Sequence, residues 1–244
     1  MNGRIRSAVI AGATAAVTLI AWVQLSALAA PSRLWTAALL VPLPVLMLIQ
    51  AQALEAAGAL PRRQVYVSSI VSLLALLLAT LAVSRFSGYA AQDIGLAGAV
   101  TLRTVVIAAT LAAAGVAVLF AFRFAGVREA LAVRELLPRS RGERLLFVFV
   151  SITAGICEEI IFRGFLLHAL DQATGSAAAA LVLSSGAFGV VHAYQKSAGA
   201  LRAALLGAIL AAPILLGHSL HSSILAHALI DVLSGLWLAR YLLR

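Results

Sequence analysis

The sequence predicts an all-α integral membrane protein. It reads as a single polytopic domain over residues 1–244, a bundle of about eight transmembrane helices whose later members form a polar cavity. Three observations carry this. Of the 244 residues, 63% are hydrophobic and 11% charged, with a mean hydropathy of +1.04, well beyond the roughly half-apolar usage of soluble domains. The apolar residues fall into runs of about 20, enough to cross roughly 30 Å of hydrocarbon at 1.5 Å per residue. The arginines collect in short runs between those segments, not on one basic face. The +9 net charge therefore argues for membrane topology and against a nucleic-acid partner.

The segments are 7–29, 34–54, 65–84, 104–122, 145–170, 177–195, 200–217 and 221–243. Turn or charge signals separate them: Pro31-Ser32-Arg33, Gly58 to Arg63, the polar stretch Arg85 to Arg103, Arg123 to Arg144, and Asp171 to Ser176. Pro42 and Pro44 predict a kink in the second segment and Pro213 one in the seventh. The longest connection, 123–144, reads as a short amphipathic interfacial helix with Val127, Leu131 and Leu136 on one side. Trp35, Tyr66, Tyr89 and Tyr241 sit near segment ends, as interfacial anchors do, while Trp22 is deeper.

The positive-inside bias sets the orientation. With a cytoplasmic N-terminus, fourteen of the eighteen basic residues fall on the cytoplasmic side, and only Arg33, Arg85, Arg103 and Arg163 do not. Both termini are expected in the cytoplasm. Residues 1–29 also carry features of a cleaved signal, with Arg4 and Arg6 before an apolar run ending in "ALA", but that run exceeds the usual length and retention is expected. The single cysteine, Cys157, excludes an intrachain disulfide and a multi-cysteine zinc site.

Six of the nine acidic residues fall in loops or at segment ends, among them Glu129 and Asp171. Glu158, Glu159 and Asp231 do not, and a carboxylate at the bilayer centre costs about 2.5–3.5 kcal/mol on insertion scales. Glu159 and Arg163 are four apart with the acid first, the favourable order for an ion pair on one face. Glu158 lies about 100° around the helix and needs a partner from elsewhere. "AFGVVHAY" offers Phe188 and His192 on one face, and "LAHALID" offers His227 and Asp231 on another. At standard helical rise these polar groups lie at similar depth, although tilt or a kink must close a gap between His192 and His227. Two chemistries fit: a buried network that orders helix packing, or a water-filled cavity in which a carboxylate and an imidazole activate water.

Together, Glu158-Glu159-x-x-x-Arg163, Phe188-x-x-x-His192 and His227-x-x-x-Asp231 resemble the three motifs of the CPBP intramembrane endopeptidases, the family of CAAX prenyl proteases and bacteriocin-processing enzymes. The resemblance covers residues 145–244 and leaves 1–144, the N-terminal helices and the interfacial segment, unaddressed. It implies an eight-helix bundle and an enzyme that hydrolyses a peptide bond of a membrane-associated protein or peptide. It further implies Glu158 as general base and acid with His192, His227 and Asp231 as oxyanion stabilisers, and Glu159, Arg163 and Phe188 in support. Asp231 stands where the family often has Asn, which can donate an amide hydrogen; an ionised carboxylate cannot. Either Asp231 is protonated, or it orients His227 and the imidazole donates; the i, i+4 spacing favours the second.

A metal-free glutamate mechanism is expected, with no cofactor. The alternative is zinc held by Glu158, His192 and His227, although the H-E-x-x-H signature is missing. A proton-coupled carrier or a non-proteolytic scaffold are rivals, but no internal repeat relates the two halves. A Gly-x-Ser-x-Gly serine signature and an intramembrane aspartate pair are both absent. His168, His218 and His221 read as interfacial or turn residues. The composition, rich in Ala, Arg and Leu with one lysine, suggests a high-GC bacterial genome and an inner-membrane location, which makes prenylated substrates less expected than bacteriocin leaders or C-terminal sorting tails. Oligomeric state is not encoded in any motif.

Overall fold

The computed structural model describes residues 3–56 and 61–242, and every regular element among them is helical. In chain order these are α1 (Gly3–Gln24), α2 (Ala30–Leu40), α3 (Pro42–Ala56), α4 (Arg62–Phe86), α5 (Leu102–Phe124), α6 (Leu131–Glu135), α7 (Arg141–Glu158), a π-helical segment (Glu159–Leu166), α8 (Leu167–Thr174), α9 (Ala177–Val191), a 3₁₀ turn (Ala193–Gln195), α10 (Lys196–Leu215), α11 (His221–Leu233), a second π segment (Ser234–Leu238) and α12 (Ala239–Leu242). Part of the expected Gly58 to Arg63 connection and the C-terminal Arg244 lie outside the described residues.

Among the described residues, six helices are long and apolar enough to cross a membrane: Ala30–Ala53, Arg62–Phe86, Leu102–Phe124, Arg141–Thr174, Ala193–Leu215 and His221–Tyr241. Val9–Gln24 and Ala177–Val191 are apolar but shorter. The eight expected segments are thus all helical, while length supports six of them as full spans. The second is broken at Val41, immediately before Pro42, because proline lacks the donor and clashes with the preceding turn. Pro213 sits inside the last turn of α10, where little helix remains to be bent.

Loop contacts sort the connections into two ends. At one, Arg62 pairs with Glu135 at 3.2 Å, the Tyr66 hydroxyl donates to the Leu136 carbonyl, and Arg202 pairs with Glu129. At the other, the Tyr89 hydroxyl donates to Gln172 at 2.8 Å, Arg103 donates to His218 at 3.3 Å, and the Leu220 N–H donates to the Gly95 carbonyl at 2.8 Å. Successive connections alternate between these ends, as a serpentine bundle requires.

Two expectations are corrected here. The amphipathic helix of 123–144 shrinks to the five residues of α6, with Leu131 exposed, because the chain is tied down instead by the Tyr66, Arg62 and Arg202 contacts. Tyr66 is buried at 3% exposure and serves that tie rather than a lipid interface.

The main core joins α2, the first π segment, α8, α9 and α10 through Leu39, Ile161, Phe165, Leu170, Ala180 and Ala211. A second joins α5, α10 and α11 through Leu111, Leu210 and Ile230. The helices that carry the polar motifs are therefore the best-packed part of the chain. Val71, Leu78, Val105 and Val182 point outwards, the exposed apolar surface expected of lipid-facing helices.

Candidate active site

Three local devices bring the motif side chains together. Ser140 and Glu143 form a capping box that starts α7, and the helix runs unbroken to Glu158 before widening over Glu159–Leu166. Such wide turns recur at functional sites because they re-aim side chains. The widened backbone is held from outside: Ser184 Oγ on α9 donates to the Phe162 carbonyl at 2.7 Å. The second device is Gly155, whose missing Cβ would meet Ala228 N at 2.9 Å, so α11 lies directly against α7. The third is the early end of α9. Its 15 residues span only about 22 Å, short of the hydrocarbon thickness, so His192 and the turn after it stay at membrane depth. Irregular backbone at that depth needs a protein or water-lined environment.

Glu158, His192, His227 and Asp231 converge. Glu158 Oε2 is 3.9 Å from His192 Nε2 and 3.7 Å from His227 Nε2, and His227 Nε2 is 3.7 Å from Asp231 Oδ2. None of these is a direct hydrogen bond. Glu158 Oε2 is buried with no protein partner in reach, and gaps of this size fit a water between the groups. The site is accessible at one edge, where the Asp231 side chain is 38% exposed.

Beneath lies a tighter layer. Glu159 Oε1 accepts from Arg163 Nη1 at 2.9 Å and from His227 Nδ1 at 2.6 Å, with Glu159 0% and Arg163 1% exposed. Arg163 Nε donates to the Gly207 carbonyl at 3.3 Å, and its guanidinium stacks 3.9 Å from the Phe188 ring centroid. Gly207 makes room for it, since a Cβ there would come 2.6 Å from Arg163 Nη2. The Phe188 ring also meets His192 at 4.4 Å between centroids and stands edge-on to His227 at 6.0 Å.

The tautomers follow from these partners. His192 Nδ1 lies 2.8 Å from the Phe188 carbonyl, which can only accept, so Nδ1 carries the proton and Nε2 presents a lone pair to Glu158. His227 Nδ1 likewise donates to the Glu159 carboxylate. This corrects the role expected of Asp231: Glu159 orients the His227 ring, and Asp231 faces its other nitrogen. Glu158 and Glu159 lie on different sides of the His227 ring, one carboxylate near each nitrogen. Cys157 is a fully buried free thiol, packed in the main core.

A further group escaped the sequence reading. Arg202 pairs with Glu129 through both carboxylate oxygens, 2.9 Å for Nη2 to Oε2, and Nη2 also donates to Gln195 Oε1 at 3.1 Å. Gln195 Nε2 in turn donates to the Tyr194 hydroxyl at 3.1 Å, and the Tyr194 ring lies 6.0 Å from that of His192. Arg202 is 8% exposed. An arginine at the third position of an apolar segment was the available signal; Glu129 offered none.

The alternative zinc ligands Glu158, His192 and His227 come together, with Glu158 Oε2 3.9 and 3.7 Å from the two imidazole Nε2 atoms. Ligand atoms at ~2.0–2.1 Å from a tetrahedral ion lie about 3.3 Å apart, so side-chain shifts of a few tenths of an ångström separate this arrangement from a zinc ligand set. No cluster of three metal-ligating side chains suited to an ion occurs among the described residues.

Residues 140–233 match the family model of type II CAAX prenyl endopeptidases, Rce1-like. No curated protein and no solved structure matches the chain. The matched segment starts at the N-cap of α7 and ends with α11, so it encloses Glu158, Glu159, Arg163, Phe188, His192, His227 and Asp231. Polar motifs, six apolar spans among the described residues and this match agree: the chain is an integral membrane protein whose residues 140–233 are similar to the type II CAAX prenyl endopeptidases.

Proposed function

We propose that the protein is a glutamate-type intramembrane endopeptidase that hydrolyses a peptide bond in a membrane-anchored polypeptide of the CAAX type, the substrate class that the family match favours over the non-prenylated substrates expected from composition. One observation carries the reading: Glu158, with no direct partner, faces two imidazole Nε2 atoms at 3.9 and 3.7 Å across gaps that suit one water. Glu158 takes a proton from that water with help from His192 Nε2, and the water oxygen attacks the scissile carbonyl carbon. The carbonyl electron pair moves onto its oxygen, which the His227 and Asp231 side of the site receives. Glu158 then returns the proton to the nitrogen as the C–N bond breaks, so acid and base are the same carboxyl. Glu159 and Arg163 act through His227, holding its ring.

Both termini are assigned to the cytoplasm on the arginine distribution, and the membrane to a bacterial inner membrane on the composition rich in Ala, Arg and Leu. The test uses the detergent-solubilised full chain and a quenched-fluorescence farnesylated CaaX peptide. Wild-type protein cleaves it, chelation with 1,10-phenanthroline leaves the rate unchanged, and Glu158→Gln abolishes cleavage. Wild-type protein that leaves the peptide intact contradicts the substrate class; loss of activity on chelation contradicts the glutamate mechanism.

A further inference from the structure

The two imidazoles of the site are anchored unequally. His227 is held from another element, by the Glu159 carboxylate at 2.6 Å. His192 Nδ1 lies 2.8 Å from the Phe188 carbonyl, one turn back in its own helix. That bond fixes the ring against α9 but leaves the end of α9 to be placed against Glu158 on α7. The backbone there is irregular: His192 closes α9, the 3₁₀ turn Ala193–Gln195 follows, and Lys196, the first residue of α10, takes a φ of +65°. A residue with a side chain keeps that conformation only where its surroundings fix it. The turn closes through one backbone bond, from the Gln195 N–H to the His192 carbonyl at 2.9 Å. Its place relative to the helices around it depends on side chains outside the motifs.

We propose that Arg202 and Glu129 are positioning residues for the hydrolysis: through Gln195 they hold the turn after α9, and with it His192, at water-bridging distance from Glu158. Arg202 Nη2 donates both to Glu129 Oε2 at 2.9 Å and to Gln195 Oε1 at 3.1 Å, while Nη1 takes the other Glu129 oxygen. One guanidinium nitrogen thus joins the ion pair to the turn. Gln195 carries the tie to its neighbours, since its Nε2 donates to the Tyr194 hydroxyl at 3.1 Å and its backbone N–H to the His192 carbonyl. The first turn of α10 is shaped to receive it: a Cβ on Gly199 would come 2.3 Å from Gln195 Cβ. The Arg202 and Glu129 side chains are 9% and 10% exposed. Stability alone is a weak reason for burying such a pair, whereas the added bond to Gln195 gives it a turn to hold 3.9 Å from the general base, measured from His192 Nε2 to Glu158 Oε2.

The inference rests on the endopeptidase reading, and the same peptide assay separates the two. Gln195→Leu cuts the tie and leaves the ion pair whole. Its melting temperature is expected to stay at the wild-type value while kcat falls about 10-fold with KM unchanged, as for a reacting group held slightly out of place. Gln195→Glu again offers Arg202 an acceptor and recovers most of that loss. Arg202→Lys keeps a charge opposite Glu129 but not the fork that reaches both partners, and lowers kcat to a similar extent. Combined with Gln195→Leu it adds little, because both act through one turn. An ion pair that only stabilises the fold predicts wild-type kcat in Gln195→Leu, and that result overturns the assignment. So does an effect confined to KM, or a Gln195→Glu no better than Gln195→Leu. Should Gln195→Leu melt early, Gly199→Ala displaces Gln195 with every polar group retained and must lower kcat; an unchanged kcat overturns the assignment too. An inactive Glu158→Gln beside a fully active Gln195→Leu sinks the positioning role alone, whereas a fully active Glu158→Gln sinks the endopeptidase reading and the inference with it.

Discussion

Glu159 and Arg163 allow support and chemistry to be separated. Both side chains are essentially without solvent contact, and one carboxylate oxygen serves two donors at 2.9 and 2.6 Å. Arg163→Met leaves the Glu159 charge buried beside His227 alone, and Glu159→Gln leaves the guanidinium without its counter-charge. Breaking such a buried pair from one side costs about 3–5 kcal/mol. For a chain of this length that corresponds to a drop of roughly 6–20 °C in melting temperature, readable by tryptophan fluorescence in detergent. The double variant Glu159→Gln with Arg163→Met removes both charges and is expected to recover most of that loss. It does not recover cleavage, because His227 Nδ1 no longer has a carboxylate to hold the ring and its tautomer. A single variant that melts and cleaves like wild type would refute the reasoning, and so would a double variant with full activity.

Other consequences are local. Gly155→Ala places a methyl 2.9 Å from Ala228 N and 3.0 Å from the Ile224 carbonyl, so α11 must move off α7; cleavage is expected to fall at least ~10-fold, since small displacements of positioned groups are costly. Asp231→Asn supplies an amide donor and is expected to stay within about 10-fold of wild type, whereas Asp231→Leu removes the polar group and loses more; equal and full activity in both dismisses a role for Asp231. In a Cys157→Ala background, a cysteine at Gln172 is expected to react with a membrane-impermeant maleimide in intact cells and one at Arg139 only after lysis. The reverse pattern overturns the proposed orientation.

Much of the site was legible because helical spacing is rigid. Glu159 with Arg163, Phe188 with His192 and His227 with Asp231 each pair residues four apart, and their placement on faces follows from 3.6 residues per turn. Contacts between helices were beyond that reasoning. Which His227 nitrogen meets which glutamate depends on the wide turn at Glu159, held by Ser184, and on the close approach of α11 at Gly155. Glu129 looked like an ordinary loop charge because its partner, Arg202, is 73 residues away. The break at Val41 was legible from Pro42 and Pro44, since proline acts on its own backbone. The expected helix in 123–144 failed for the opposite reason: its apolar spacing was overruled by ties from Tyr66, Arg62 and Arg202.

The central claim is that Glu158 hydrolyses a peptide bond of a membrane-anchored protein, and its most direct test is made in the source cell. Membrane proteins from cells carrying Glu158→Ala are compared with wild type by mass spectrometry of their termini. At least one membrane-anchored precursor is expected to accumulate uncleaved and to be processed again when wild-type protein is restored. Identical termini in the two strains, with the variant present in the membrane at wild-type level, contradict the account.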